Sequence, residues 1–514
     1  MSGAVTNSPF SAPWEPAMRE LLSPFSLTPE ATGIAASFLV LVAALFFLRK
    51  PKKNSLDFRD AAGEHIKVLP GDTRVARFVQ GAEVSDRGKA IAGDEPYLVH
   101  SSRLRHLVIA TPDQLRQFMA NDSKGHKKVP GGGLGDYAAR MLGSCVGQQH
   151  GEKWKLMRSH FDPSFSNHAA RQAEPVFHKV IRDWLEALPP AATSSAFTKD
   201  ALTSCHALAF RLLAIMSYGE VMDDATFAKL NSLTQMHKQM MMTMVLNLKT
   251  SSRLYNMLPT TERRQLKEFN RLWEQFNLGA IERARKDGLN CPVERIYAGV
   301  EVGDMSLVEF LQSLDEMLYT NIDITGLALA RLLHNIAAHA DFQARLRAEI
   351  LGEKQQQSGY SAAAYAGKQD TLLHYATLES LRLNNVLHFS PPECTAEDKI
   401  IGGYRIPAQT SCIVDVRRIN TNREAWGEDA ETFRPERFAG LPASSYRFSM
   451  IRWGVGSSKC MGKNMADLLL KMTVIAVLER YELRPAVLEK GGGEQQQQGM
   501  TAATKETGIG FRLL

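Results

Sequence analysis

What this chain lacks narrows its chemistry first. Among 514 residues there are six cysteines, at 145, 205, 291, 394, 412 and 460, and no two form a CxxC pair. That excludes a dense disulfide framework and a paired-cysteine redox motif, and reads as reduced thiols in a cytosol-facing protein. Charge of one sign is also scarce. Lys+Arg 61 against Asp+Glu 55 leaves +6, too small an excess to indicate a nucleic-acid partner. There is no internal repeat, no GxxxxGK[ST] phosphate loop and no strand-framed GxGxxG; the GGGLG at 131–135 reads as a flexible loop. No HExxH and no Cys/His zinc spacing occur. A redox enzyme built on this chain would draw its electrons from a partner.

Long apolar runs are likewise rare, and the main one lies near the start. Residues 31–48 read ATGIAASFLVLVAALFFL, without a charge. As a helix this spans about 27 Å, enough for a thin bilayer such as that of the endoplasmic reticulum. Arg49, Lys50, Lys52 and Lys53 come directly after it, whereas residues 1–30 hold one base, Arg19, and three acids, Glu15, Glu20 and Glu30. The positive-inside rule places the basic side, and with it the bulk of the chain, in the cytosol. The rival is a cleaved signal peptide; the run's length, late start and basic flank favour an anchor. The expected division is a lumenal tail at 1–30, a transmembrane anchor at 31–48, a basic linker at 49–56 and a catalytic body at 57–514, in a single-pass protein of the endoplasmic reticulum membrane.

In the body, short apolar runs broken by Gly, Pro and Asp predict strands and turns up to about residue 115. From 154 to 351 the apolar spacing is helical. Its longest stretch, 306–350, opens with Ser306 and Glu309 at capping-box spacing. Strand and turn text returns from 399, a helix is predicted over 467–481, and exposed loops at 355–357 and 491–498. The fold class is mainly α with small β-sheets.

One segment carries chemistry. Residues 448–470 read FSMIRWGVGSSKCMGKNMADLLL. Glycines flank Cys460 and let backbone pass close to a flat ligand. A helix begins just after it, and a helix N-terminus stabilises a thiolate. A buried structural cysteine in a glycine turn would look the same, so this loop alone leaves both readings open.

Further residues give a resemblance. Trp453, Gly456, Cys460 and Gly462 stand at the spacing of the haem loop of the cytochrome P-450 family. Glu379 and Arg382 form ExxR, FRPERF at 433–438 supplies Arg437, and Trp154 with Arg158 forms WxxxR, all in that family's order. The resemblance implies the cytochrome P-450 fold over the body and heme b, with Cys460 as axial thiolate ligand of the iron. It implies Trp154 and Arg158 at a haem propionate, and a structural network of Glu379, Arg382 and Arg437. The family's chemistry is monooxygenation with O2, an apolar substrate and electrons from NADPH through NADPH-cytochrome P-450 reductase. The motif dialect resembles membrane-anchored fungal enzymes of secondary metabolism.

The chain departs from the pattern at three places. Ser458 replaces an expected Arg before Cys460, and Glu393 replaces another; Arg158, Trp154, Lys459 and His388 remain to compensate the propionates. In the distal helix TNIDIT, Asp323 keeps the family's acid, but Ile324 replaces the adjacent alcohol. Asp323 is then the proton source, with Thr325, Asn321 or water as relay; the bland alternative is a salt bridge to a neighbour. By resemblance the pocket is lined by 126–145, 314–325, 386–393 and 500–504. The methionine-rich run 236–248 either covers an access channel or packs in the core. Arg447, Arg452, Lys459, Lys463 and Lys471 suggest a docking face for an acidic reductase. Two other functions stay open: a reductase-independent haem-thiolate isomerase or dehydratase, and a non-catalytic haem-binding membrane protein.

Overall fold

The body begins at Phe58, and short strands follow from Lys67. The computed structural model describes residues 58–487, apart from 103, 122, 191–194, 357–358 and 457–458, together with 508–514. The anchor expected at 31–48, its flanks, Ser458 and the turn at 500–504 lie outside the described residues.

The strands are β1 (Lys67–Asp72), β2 (Tyr97–Ser101), β3 (Leu104–Ile109), β4 (Lys127–Lys128), β5 (Ala196–Asp200), β6 (Glu393–Cys394), β7 (Lys399–Ile401), β8 (Tyr404–Ile406), β9 (Ser411–Val414), β10 (Tyr481–Pro485) and β11 (Gly508–Leu513). The largest sheet runs β1-β2-β3-β9-β6-β4; β10-β11-β5 and β7-β8 form two smaller ones. β2 and β3 bury Leu98, Val99, Leu107, Val108 and Ile109. The β4–β6 pairing sets Lys128 opposite Glu393. Residues 131–135 are not a loose loop. They make a tight turn in which Gly131, Gly132, Gly133 and Gly135 all have positive φ, a region that only glycine enters cheaply.

Seven helices position the site: α1 (Gly151–Phe165), α2 (Ala201–Tyr218), α3 (Asp224–Leu246), α4 (Leu307–Asp315), α5 (Asn321–Ala338), α6 (Leu372–Leu383) and α7 (Lys463–Arg480). Their starts are capped as their sequences dictate. Asp223 accepts the Thr226 N–H at 2.7 Å, and Thr371 that of His374 at 3.1 Å. Before α4 the reciprocal capping box of Ser306 and Glu309 forms.

The single helix expected over 306–350 is interrupted twice. A π-helical turn, Glu316–Thr320, separates α4 from α5. Its wider winding frees backbone carbonyls, and Asn321 Nδ2 donates to those of Glu316 and Met317, each at 3.0 Å. His339 then ends α5 before the next helix, Ala340–Gln356.

α5 runs through the core, where Leu329, Leu332, Leu333 and Ile336 are buried, at about 1.5–3 kcal/mol for each such side chain. α2 packs against it. Among the described residues, only the stretch Ala201–Val221 is long and apolar enough to cross a membrane, and it is half buried within the protein. The methionines of α3 resolve toward packing: Met240, Met241 and Met244 are buried in one cluster with Phe269, Trp273 and Tyr319.

Candidate functional site

The cysteine loop is pinned by its own backbone. The Cys460 N–H donates to the Trp453 carbonyl at 2.8 Å. Gly454 and Gly456 turn with φ of 78° and 71°, and a Cβ on Gly456 would run into Met119. Cys460 is exposed, while Cys145, Cys205, Cys291 and Cys412 are buried and Cys394 is intermediate. Burial nevertheless dominates the Cys460 thiol and raises its pKa, against N–H groups of Gly462 and Lys463 and the charge of Arg158; Glu316 adds to the rise. Cys460 thus stands at the start of α7 with accessible surface, while burial is still the largest influence on its thiol.

Trp154 and Arg158 lie on one face of α1, with the guanidinium 5.3 Å from the indole centroid. Arg158 donates to Asp162 at 2.5 Å and to the Lys459 carbonyl at 3.3 Å, which brings this pair to the cysteine loop. The Lys459 side chain is exposed.

Glu379 and Arg382 are fully buried and bond bidentately at 2.7 and 2.9 Å. Arg437 reaches the same carboxylate at 2.9 Å. Arg382 also donates to the carbonyls of Asn420 and Ala430 at 2.7 and 2.6 Å. The Asn420 side chain in turn clasps the backbone of Ile451, accepting its N–H at 2.7 Å and donating to its carbonyl at 2.9 Å. A continuous hydrogen-bond path therefore runs from α6 to the entrance of the cysteine loop.

On the distal helix, Asp323 is directed at α2, where its carboxylate lies 3.7 Å from His206 Nδ1. Burial lowers the His206 pKa and Asp323 opposes it. Thr325 is half-buried. Thr320, in the π turn, has a buried hydroxyl with no partner among the described residues.

The turn also brings in a residue that no motif marked. Glu316 accepts the Gly147 N–H at 2.9 Å and bonds the Cys145 thiol; burial raises its pKa. Its partners lie far away in sequence, so the only trace in the chain was the Asp315–Glu316 doublet.

At Glu393 the missing cation has been replaced by a reversed pair. Glu393 bonds Lys128 and faces His126 at 3.5 Å. Burial alone would raise its pKa, but His126 and Lys128 bring it below the ordinary value. His388 packs against Gly81 and feels Arg417. The suggested docking face loses a member: Lys471 is buried, bonded to Asp467 at 2.7 Å and to the Ala366 carbonyl at 2.9 Å. Arg447, Lys459 and Lys463 are exposed, and Arg452 is half-buried. No cluster of three His, Cys, Asp or Glu able to hold a metal ion occurs among the described residues.

Comparison with known proteins agrees with this geometry. Residues 95–509 match the family described as cytochrome P-450. The cytochrome P-450 monooxygenase lepD of Aspergillus flavus is 42% identical over 487 residues, covering 93% of this chain and 96% of that one. The cytochrome P-450 monooxygenase apdB of Emericella nidulans is 38% identical over 466 residues, 87% and 91% of the two chains. The cytochrome P-450 monooxygenase opdB of Penicillium oxalicum is 36% identical over 471 residues, 91% and 92%. The chain thus belongs to the cytochrome P-450 family, enzymes that bind haem through a cysteine thiolate and act as monooxygenases.

Proposed function

We propose that Cys460 is the haem ligand of a monooxygenase that inserts oxygen from O2 into an apolar small molecule of fungal secondary metabolism, with electrons from NADPH delivered by NADPH-cytochrome P-450 reductase. The carrying observation is Cys460 itself, the exposed one of the six cysteines, at the start of α7 with two backbone N–H groups directed at its sulfur.

The donor set fits heme b. A cysteine sulfur at a helix start with backbone N–H groups directed at it, a glycine loop in close contact with Met119, and a Trp–Arg pair beside the loop are what a flat dianionic macrocycle requires. Bound there, the haem supplies an electron-rich iron centre for oxygen activation. The protein's own groups do the rest. The N–H groups of Gly462 and Lys463 hold negative charge on Sγ. The Arg158 guanidinium and the Trp154 N–H donate to a propionate, with Lys459 as a further cation. Glu379, Arg382 and Arg437 keep the loop in register through Asn420. Asp323 is the proton source on the distal helix, with His206 across from it, and Thr325 is the relay. Residues 1–30, 31–48 and 49–56 serve as lumenal tail, anchor and linker in the endoplasmic reticulum membrane. Exposed Arg447, Lys459 and Lys463 meet an acidic reductase.

The engagement of Asp323 with His206, beside an Ile324 that has no hydroxyl, favours a second reading: a reductase-independent isomerase or dehydratase, for which proton delivery to oxygen is not needed. Turnover of candidate precursors with and without oxygen and reductase separates the two. Product that requires both is the expected result. The red-shifted Soret band of the ferrous CO complex tests the ligand; its survival in Cys460→Ala would overturn the assignment.

A further inference from the structure

Asn420 belongs to none of the motifs that marked the site, yet it has no exposed surface and every polar atom of its side chain is engaged. It ends a short helix, Val416–Asn420. Its Oδ1 accepts the Ile451 N–H at 2.7 Å, and its Nδ2 donates to the Ile451 carbonyl at 2.9 Å. The same Nδ2 lies 2.8 Å from Asn385 Oδ1 and 3.2 Å from the Arg382 carbonyl. Arg382 donates in return to the Asn420 backbone carbonyl at 2.7 Å. Binding both polar groups of one residue reproduces a rung of an antiparallel ladder. It fixes the orientation of the peptide planes at Ile451 as well as their position.

Ile451 is the last firm point before the cysteine. Two residues on, the Trp453 carbonyl accepts the Cys460 N–H at 2.8 Å, and the N–H groups of Gly462 and Lys463 are directed at the sulfur. A displacement at Ile451 is therefore carried through Trp453 to Cys460. The chain holds the same clasp at a second place. Gln343 Nε2 donates to the Leu483 carbonyl at 2.9 Å, and Gln343 Oε1 accepts the Leu483 N–H at 2.7 Å. That pair is also buried, but it ties the helix Ala340–Gln356 to β10 and includes no residue of the cysteine loop.

We propose that Asn420 is a positioning residue for the thiolate: by fixing Ile451 it sets how closely the Gly462 and Lys463 N–H groups approach Cys460 Sγ, and so how much charge the sulfur gives to the iron. This rests on the haem-site reading above. Hydrogen bonds to a ligating sulfur withdraw charge from it and favour the reduced metal. Slackening them makes reduction of the iron harder.

The test uses the purified, haem-loaded full chain. The ferrous CO spectrum, the one-electron midpoint potential and the urea midpoint are measured for wild type, Asn420→Ala, Asn385→Ala and Gln343→Ala. Asn420→Ala and Gln343→Ala each orphan a buried N–H and carbonyl, and both are expected to lower the urea midpoint. Asn420→Ala alone of these two is expected to lose part of the red-shifted Soret band. It is also expected to disfavour reduction about tenfold, a fall of about 59 mV. Asn385→Ala keeps the clasp on Ile451 but frees one side of the amide. It is expected to disfavour reduction about twofold, and it serves alone if Asn420→Ala does not fold. A potential that stays or rises in the variants at 420 and 385, or falls equally in Gln343→Ala, overturns the positioning role. Wild type that binds haem without the red-shifted band overturns the haem-site reading, and the role of Asn420 with it.

Discussion

Asp323 and His206 meet across the contact of α5 with α2, carboxylate to Nδ1 at 3.7 Å, and Gly326 is what admits the ring: a Cβ there would collide with it. Gly326→Ala must therefore push His206 away from Asp323 or part the two helices. The expected cost is about 1–3 kcal/mol, read as a lower urea midpoint. NADPH consumption is expected to divert toward peroxide if the pair holds the proton. A variant as stable and as well coupled as wild type would show that the contact yields freely.

Arg158 joins α1 to the cysteine loop through the Lys459 carbonyl. Arg158→Ala removes the cation proposed for a propionate, and the purified protein is expected to retain less than about half its haem, since a buried carboxylate left without a partner is costly. The haem-to-protein ratio measures this, and an unchanged ratio would sink the role.

Glu379 binds two arginines at zero exposure. Glu379→Ala leaves Arg382 buried without a carboxylate and Arg437 with Asp429 alone, at 3.3 Å, and is expected to cost about 3–5 kcal/mol. Denaturant unfolding reads the loss, and a haem content falling in step with it would reflect the path through Asn420 to Ile451.

His374 Nδ1 sits 3.0 Å from the Lys471 ammonium, which requires a neutral ring. Burial first, and Lys471 second, lower its pKa from 6.5 to about 4. The unfolded chain binds the proton near 6.5 and the folded chain only near 4, so stability is lost as pH falls through that window, by about 3 kcal/mol. His374→Gln is expected to flatten this part of the stability–pH curve. Buried His106, lowered to about 3, keeps a residual slope below it.

The features legible in the sequence were those written locally. The Ser306–Glu309 capping box, the helix after Cys460 and the four-residue spacing of Trp154 and Arg158 each depend on neighbours within a turn. What was hidden depends on distant partners. Glu393 stood out as a missing arginine, but only the β4–β6 register shows Lys128 facing it. Lys471 looked like one more surface base because Asp467 and the Ala366 carbonyl, which permit its burial, carry no pattern. The π turn leaves no periodic trace, and Glu316 has its partners in a turn whose chain neighbours gave no hint of it.

The π turn works as a phase shifter. One added residue rotates everything beyond it by roughly 100° relative to an uninterrupted α-helix. Three acids of one rod can thereby address three different neighbours: Asp315 meets His237 of α3 at 2.8 Å, Glu316 meets Gly147, and Asp323 faces His206 of α2. Deleting a single residue there would leave the helix intact as a cylinder, yet re-aim one set of acids against the other, a change of address rather than of composition.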